Sequence, residues 1–310
     1  MRIGLMHGAR REPFTLGEAV ELAVRAESDG FDSVWFPQLP TFGPDALTVI
    51  ALAGAQTERI QLGTAVLPTF PTHPLTMAKQ ALTTQAACGG RFTLGLGLSH
   101  KPMIEDVMGL SYDNPARHMR EYLEVTRSLI DDHTVDFQGQ EFQVKADLTI
   151  NGALPVPIVI AALAPRMLRM AGEIADGTAT WMAGVRTIGD PIAPRINSAA
   201  QSVGRTDPRV VVGLPVAVTD DPNGARDAAA HVFERYGQLI NYRRLLDIEG
   251  VEGPSEVAVI GNESQVEQQL RAFASAGATE FIASVLPVDG ESDESIDRTK
   301  RLLSSLVGKI

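Results

Sequence analysis

Short apolar runs alternate with longer amphipathic stretches from one end of the chain to the other. The clearest passage is RIQLGTAVLPTFPTHPLTMAKQALTTQAACGGRFTLGLGLSH, residues 59–100. Ile60, Leu62 and Ala65-Val66-Leu67 predict a strand that stops where Pro68, Pro71 and Pro74 follow, because proline cannot donate to a ladder. A helix is expected from about His73 to Cys88, closed by Gly89-Gly90 as a left-handed cap. Phe92, Leu94 and Leu96 predict the next buried strand. Gly95 and Gly97 leave its far end bare, where a flat ligand can come close.

The same alternation predicts a strand at Ile3 to Met6 and a helix from Thr15, where Glu18 completes a capping box, to Gly30. A strand over Asp32 to Phe36 and a helix from Pro44 to Ala55 follow. Later strands are expected at Ile158 to Ala162, Thr178 to Met182, Val210 to Val218 and Glu280 to Ser284. The intervening helices are placed at Pro165 to Ala175, Thr187 to Val203, Gly224 to Tyr236, Glu263 to Ala276 and near Glu294 to Leu306. About eight strand-helix units, with strands apolar on both faces, predict an α/β chain folded as a (β/α)8 TIM barrel. Two stretches break the repeat and read as insertions after strands four and seven. One, between Gly97 and Pro155, includes an alternating segment, Val135 to Val144, that reads as a hairpin over the barrel. The other, between Leu239 and Gly261, shows no clear element. No low-complexity linker divides the chain, so residues 1–310 are expected to form one domain.

With 38 acidic against 27 basic residues, the net charge of −11 repels phosphate backbones and anionic lipid, so neither nucleic acid nor membrane is an expected partner. The single cysteine, Cys88, excludes an internal disulfide and a cysteine-based zinc cluster, and reads as a small buried hydrophobe at a helix end. No signal segment or membrane-length apolar run is visible in the sequence, and a cytoplasmic location is expected.

No P-loop, nucleophile elbow or HExxH pattern occurs. Gly95-Leu96-Gly97 begins a dinucleotide fingerprint but meets His100 where its third glycine belongs. A more promising passage is PVPIVIAALAPRMLRMAGEIADGTATWMAG, in which a strand ending at Ala161-Ala162 runs through Leu163-Ala164 into a helix opening with Pro165-Arg166. Free amides at such a helix start, beside a cation, suit a phosphate. A plain turn with a solvated Arg166 explains the same spacing equally well. Asp176 reads as a backbone brace.

GFDSVWFP at 30–37, LGTAVLP at 62–68, GGRFTLGLG at 89–97, ARHMREYLEV at 116–125 and PIVIAALAPRMLRMAGEIADG at 157–177 together resemble the bacterial luciferase-like flavin and deazaflavin oxidoreductases, particularly the coenzyme F420-dependent branch. This resemblance covers nearly the whole chain and implies the (β/α)8 barrel reached above. It implies that Ala65-Val66 is a bulge, often with a cis peptide, backing the cofactor ring, and that Gly97, Leu98, Ser99 and His100 border that ring. Ala162, Leu163, Ala164, Pro165 and Arg166 match the phosphate loop, and Trp181 falls near the cofactor tail. Arg117 and Glu121, four apart on one helix, read as a structural ion pair.

Relatives acting on sugars carry an acid-histidine pair after strand two, and the matching positions here look like Gln38-Leu39. Gln38 is then the residue at that place, and His7, His73 and His100 are the candidates for a proton donor. A lone histidine in such a place is more often a structural or solvated imidazole. Phe36, Phe42, Phe70 and Trp181 are candidates to cover a substrate, or core residues. The expected activity is hydride transfer between coenzyme F420 and a small organic substrate such as an enone or imine, with no metal. The alternatives are a reduced-FMN monooxygenase of the same fold and a non-catalytic flavin-binding protein. The family resemblance also implies a homodimer.

Overall fold

Eight parallel strands, each apolar on both faces, pair in chain order until the ring closes on itself. They are β1 (Arg2–Met6), β2 (Ser33–Phe36), β3 (Gln61–Thr64), β4 (Phe92–Gly97), β5 (Ile158–Ile160), β6 (Gly177–Trp181), β7 (Arg209–Val218) and β8 (Glu280–Val285). β7 bonds both β6 and β8, and β8 bonds β1, which completes the (β/α)8 barrel that the alternation predicts. The structure, a computed structural model, describes residues 1–7, 14–288 and 293–310.

Around the ring lie α1 (Leu16–Ser28), α2 (Ala46–Gly54), α3 (Pro74–Ala87), α4 (Pro115–Asp131) and α5 (Pro165–Glu173). They are followed by α6 (Ala193–Ser202), α7 (Pro222–Gln238), α8 (Ile240–Glu249), α9 (Glu263–Ser275) and α10 (Asp293–Leu306). The Thr15–Glu18 capping box forms at the start of α1. Cys88 is buried where α3 ends, and burial pushes its thiol up to about 11. Gly54 allows that contact, since a Cβ there would lie 2.4 Å from the Cys88 sulfur. Asp176 is a brace, accepting from the Ile158 amide at 2.7 Å and from Arg127 at 2.6 Å.

Three expectations need correction. The hairpin, Thr134–Gln138 paired with Gln143–Asp147, lies against α4 rather than over the barrel. Glu121 on α4 accepts the amides of Gln140, Glu141 and Phe142 in its turn, at 2.7 to 3.0 Å. Arg117 accordingly pairs with Glu141 at 2.7 Å and not with Glu121, because the hairpin brings a partner that spacing along one helix cannot reveal. The stretch from Leu239 to Gly261 is also ordered: it holds α8 and a strand, Val259–Gly261, that extends β7 at residues 216–218. A strand of three residues is too short to show periodicity.

The barrel interior is layered. At its lower end Glu280, with no exposed surface, accepts from Arg2 at 2.7 Å, Arg209 at 2.8 Å, Ser33 at 2.6 Å and the Trp35 indole at 2.7 Å. Arg209 also donates to Thr93 on β4 at 2.9 Å. Burial alone would raise the Glu280 pKa, but the Arg209 and Arg2 cations and the Ser33 hydroxyl hold it below its ordinary value. Above this polar layer Trp35, Val159, Ala179, Val211 and Ile282 fill the bore, with Met6, Ala65 and Val66 packed against them. The Trp35 ring needs Gly63 beside it, where a Cβ would come within 2.5 Å.

Glu280→Ala leaves the largely buried Arg209 guanidinium without its counter-ion, and an expected cost of about 3 kcal/mol is measurable by chemical denaturation. The stabilisation is complete above the ordinary carboxyl value of 4.5 and is lost as pH falls through the lower folded value. The variant's stability should therefore depend less on pH in that acid range.

Candidate functional site

The C-terminal strand ends carry the candidate site, and its floor is set by a register defect between β3 and β4. Gly63 pairs with Thr93, and pairing resumes at Leu67 with Leu96. Three residues, Thr64 to Val66, thus face two, Leu94 and Gly95, which is a β-bulge. The Ala65-Val66 peptide is cis, as the family resemblance implies. Thr64 repairs the ladder with its side chain, accepting the Gly95 amide at 2.7 Å and donating to the Gly95 carbonyl at 2.9 Å.

The glycines of β4 make room for this bulge. A Cβ on Gly95 would lie 1.8 Å from the Thr64 carbonyl oxygen, and one on Gly97 would lie 2.4 Å from a Val66 methyl. The side on which each lacks a Cβ is turned to the neighbouring strand. Beyond Gly97 the chain passes half-buried Leu98 to Ser99, which holds a positive φ of 60°. Met182, just after β6, holds a φ of 57°. Non-glycine residues in this region are uncommon, and these two follow β4 and β6 at the barrel mouth.

The four candidates for acid-base work fall into different settings. His7 lies at the end of β1, its ring 3.7 Å from that of Phe14 and 5.5 Å from that of Phe36. His100 has its ring 5.8 Å from Tyr242, and burial, reinforced by the Arg235 cation, pushes its pKa below the ordinary value. The imidazole is neutral at neutral pH. Gln38 spends its amide oxygen on the Ala46 N–H at 2.8 Å, at the start of α2. His73 caps α3, its Nδ1 accepting from Leu75 at 3.2 Å, and so reads as structural.

On the opposite wall, Ala162 is fixed through its amide to Thr178 Oγ1 at 3.2 Å, and Leu163 and Ala164 lead into α5. Pro165 takes the first turn, and no side chain caps the helix start. Arg166 is exposed and makes no hydrogen bond or ion pair with any described residue. Trp181 closes the end of β6 against Phe233 and Tyr236. Its buried Nε1 forms no well-aligned hydrogen bond among the described residues, although the Tyr236 hydroxyl interacts with it.

Sequence reasoning missed His118. It is buried on α4, stacks on Phe70 at 4.0 Å with planes 12° apart, and its Nε2 lies 3.0 Å from Thr69 Oγ1. Tyr112 also stacks on Phe70, at 5.0 Å, and donates to the Ser99 carbonyl at 3.3 Å. One aromatic stack therefore ties the segment after the bulge to the loop after β4. The visible signal was His118 on the α4 face that also carries Tyr122, four residues on. Of the candidate covers, Phe36 is core, whereas Phe42 is exposed and Phe70 and Trp181 are half-buried. No group of acidic, histidine or cysteine side chains among the described residues could hold a metal ion, and no described helix is long and apolar enough to cross a membrane.

Residues 1–280 match the sequence profile of the luciferase-like monooxygenases. The chain is similar to a protein of Beutenbergia cavernae named F420-dependent glucose-6-phosphate dehydrogenase, 31% identical over 312 residues, covering 96% of this chain and 87% of the relative. A protein of the same name from Kineococcus radiotolerans is 27% identical over 296 residues, 91% of this chain and 86% of the relative. Among solved structures, an F420-dependent secondary alcohol dehydrogenase in complex with an F420-acetone adduct superposes with a TM-score of 0.81 at 20% identity, covering 99% of this chain and 98% of the other. The oxygenating constituent of 3,6-diketocamphane monooxygenase of Pseudomonas putida, in complex with FMN, superposes at 0.77 with 18% identity, covering 100% and 98%. At such identities the structural matches establish the shared barrel alone.

Burial drives the His118 pKa down to about 4, so between that value and the ordinary 6.5 the unfolded chain binds a proton that the folded chain does not. Stability should rise with pH across this window. His118→Gln is expected to flatten the rise, as read from urea midpoints at two pH values inside it.

Proposed function

Because the chain belongs to the luciferase-like monooxygenase family, we propose that it is a coenzyme F420-dependent oxidoreductase that transfers a hydride between the deazaflavin and a small organic substrate. The observation that carries the choice of cofactor is the near full-length similarity to relatives named as F420-dependent dehydrogenases. When bound, the deazaflavin supplies or accepts the hydride, and the protein supplies placement and proton management.

The residues at the mouth suit such a group. In this reading the Ala65-Val66 bulge, packed on the Trp35 layer, backs the ring, and Gly97, Leu98, Ser99 and His100 border it. Ala162, Leu163, Ala164, Pro165 and Arg166 hold the phosphate: the helix start offers uncapped amides and Arg166 a cation without an internal partner. Trp181, at the end of β6, lies near the tail of the cofactor in this reading.

Substrate choice follows from what stands after β2. Gln38 is occupied in capping α2, and Leu39 cannot exchange a proton, so the means of accepting a hydroxyl proton from a sugar is missing there. An apolar acceptor such as an enone or imine, reduced with a proton from His100 or His7, fits this mouth better than an alcohol to be oxidised. Reduced-FMN monooxygenation is the second reading, supported by the FMN-bound structure of the same fold.

The test is a titration of the purified protein with coenzyme F420 and with FMN, followed by cofactor fluorescence. Binding of F420 that weakens about tenfold in Arg166→Ala is expected, the loss of one charge-assisted hydrogen bond. Binding of FMN alone would replace this reading with the monooxygenase, and binding of neither would remove the cofactor assignment. With His100 as the proton donor, turnover should fall as pH rises through the lowered pKa of its imidazole, and His100→Ala should abolish that limb of the profile.

A further inference from the structure

The loop after β4 closes on itself. Its first residues, Leu98 and Ser99, leave the barrel with Ser99 at a φ of 60°, and Tyr112 returns to donate its hydroxyl to the Ser99 carbonyl at 3.3 Å. Between these ends the His100 carbonyl accepts the amides of Met103 and Ile104, at 2.9 and 3.1 Å, and the Ile104 side chain is wholly buried. The segment is an Ω-type loop, tied at its neck and plugged by one apolar residue. His100 stands in the neck, next to the residue that Tyr112 holds.

The neck is also tied from outside. The Thr69 amide donates to the Gly97 carbonyl at 2.9 Å, and His118 Nε2 lies 3.0 Å from the Thr69 hydroxyl oxygen. Two rings stack on Phe70, that of His118 at 4.0 Å and that of Tyr112 at 5.0 Å. Contacts thus run in a circuit from Gly97 through Thr69, His118, Phe70 and Tyr112 to Ser99, and only Leu98 separates its two ends along the chain. Burial pushes the Tyr112 hydroxyl pKa up, so it remains a donor, and holds His118 near 4, so the ring on Phe70 is uncharged at neutral pH. A non-glycine residue at positive φ persists where its surroundings over-determine it, and this circuit does so for Ser99. The direction in which His100 leaves the main chain follows from that conformation.

We propose that Tyr112, with Phe70 and His118 behind it, is a positioning residue that aims the His100 imidazole at the reacting atoms. It acts through the Ser99 carbonyl rather than by contact with the substrate. The inference rests on the reading of His100 as the proton donor. In that step His100 gives its proton to the enolate left when an enone accepts, at its β-carbon, the hydride of reduced F420.

The experiment uses the whole protein with reduced F420 and cyclohex-2-enone as the probe acceptor, followed by the return of F420 fluorescence. Tyr112→Phe keeps the ring on Phe70 and removes the hydroxyl, and kcat should fall about tenfold with KM unchanged. In the His100→Ala background the same change should cost nothing further, because residues serving one step are not additive. Phe70→Leu should repeat both results. Equal losses in both backgrounds, or no loss in either, overturn the proposal. Full turnover by His100→Ala overturns the donor reading and the proposal with it, and leaves the cofactor reading standing.

A second readout needs no substrate: the imidazole resonance of His100, identified by its loss in His100→Ala, is titrated by NMR. The groups facing that ring are Tyr242 on α8 and the Arg235 cation on α7, while neighbouring Lys101 pairs with Glu105 at 3.6 Å. Freeing the neck lets water reach the ring, so Tyr112→Phe should move its midpoint up towards the ordinary 6.5. An unchanged midpoint overturns the proposal, including where the enone is not turned over.

Discussion

One buried carboxylate holds the barrel in register. Glu280 on β8 accepts from Arg2 on β1, from Ser33 and Trp35 on β2 and from Arg209 on β7, and Arg209 extends the connection to Thr93 on β4. Five of the eight strands are joined through one ionised group that has no contact with water. Removing a charge from water is costly, and the cost is offset only when each oxygen is fully satisfied in good geometry. That demand fixes the relative heights of the strands more sharply than apolar packing can, because an alkyl contact tolerates a slip that a 2.7 Å hydrogen bond does not.

The consequences pass upward through Trp35. Its indole is tied to Glu280 and its ring lies over Gly63, so β3 is held directly beneath the point where its ladder breaks. Above that point the chain needs one more residue than β4 can pair, and Thr64 supplies with its hydroxyl what the backbone omits. The bulge is therefore bounded by a rigid layer below and by two glycines at its side. What faces the mouth is a small apolar surface, Ala65 and Val66, on a foundation that cannot easily shift.

Much of the barrel was legible because its strands are apolar on both faces and its helices carry explicit ends, such as Thr15 with Glu18 and the positive-φ Gly30. The extra strand Val259–Gly261 was not, since its pairing with β7 rests on three residues brought from 43 positions away. At the site, turn chemistry located the loops after β4 and β5, but it could not say which way a glycine's bare face points. Gly95 and Gly97 face a neighbouring strand, a fact set by the bulge and invisible in one dimension. Arg117 shows the same limit: helical spacing nominates Glu121, whereas the hairpin turn claims that carboxylate with three amides and offers Glu141 instead.

Helix α4 is held by that hairpin turn, and it carries His118 towards the segment after the bulge. Only about one helical turn separates His118 from Glu121, so the aromatic stack takes its height from a hairpin outside the barrel. The turn of that hairpin is therefore fixed in length: adding a residue to it would take amides away from Glu121 and unsettle α4 beneath His118. An insertion at the surface would then be felt at the barrel mouth, away from the residue added.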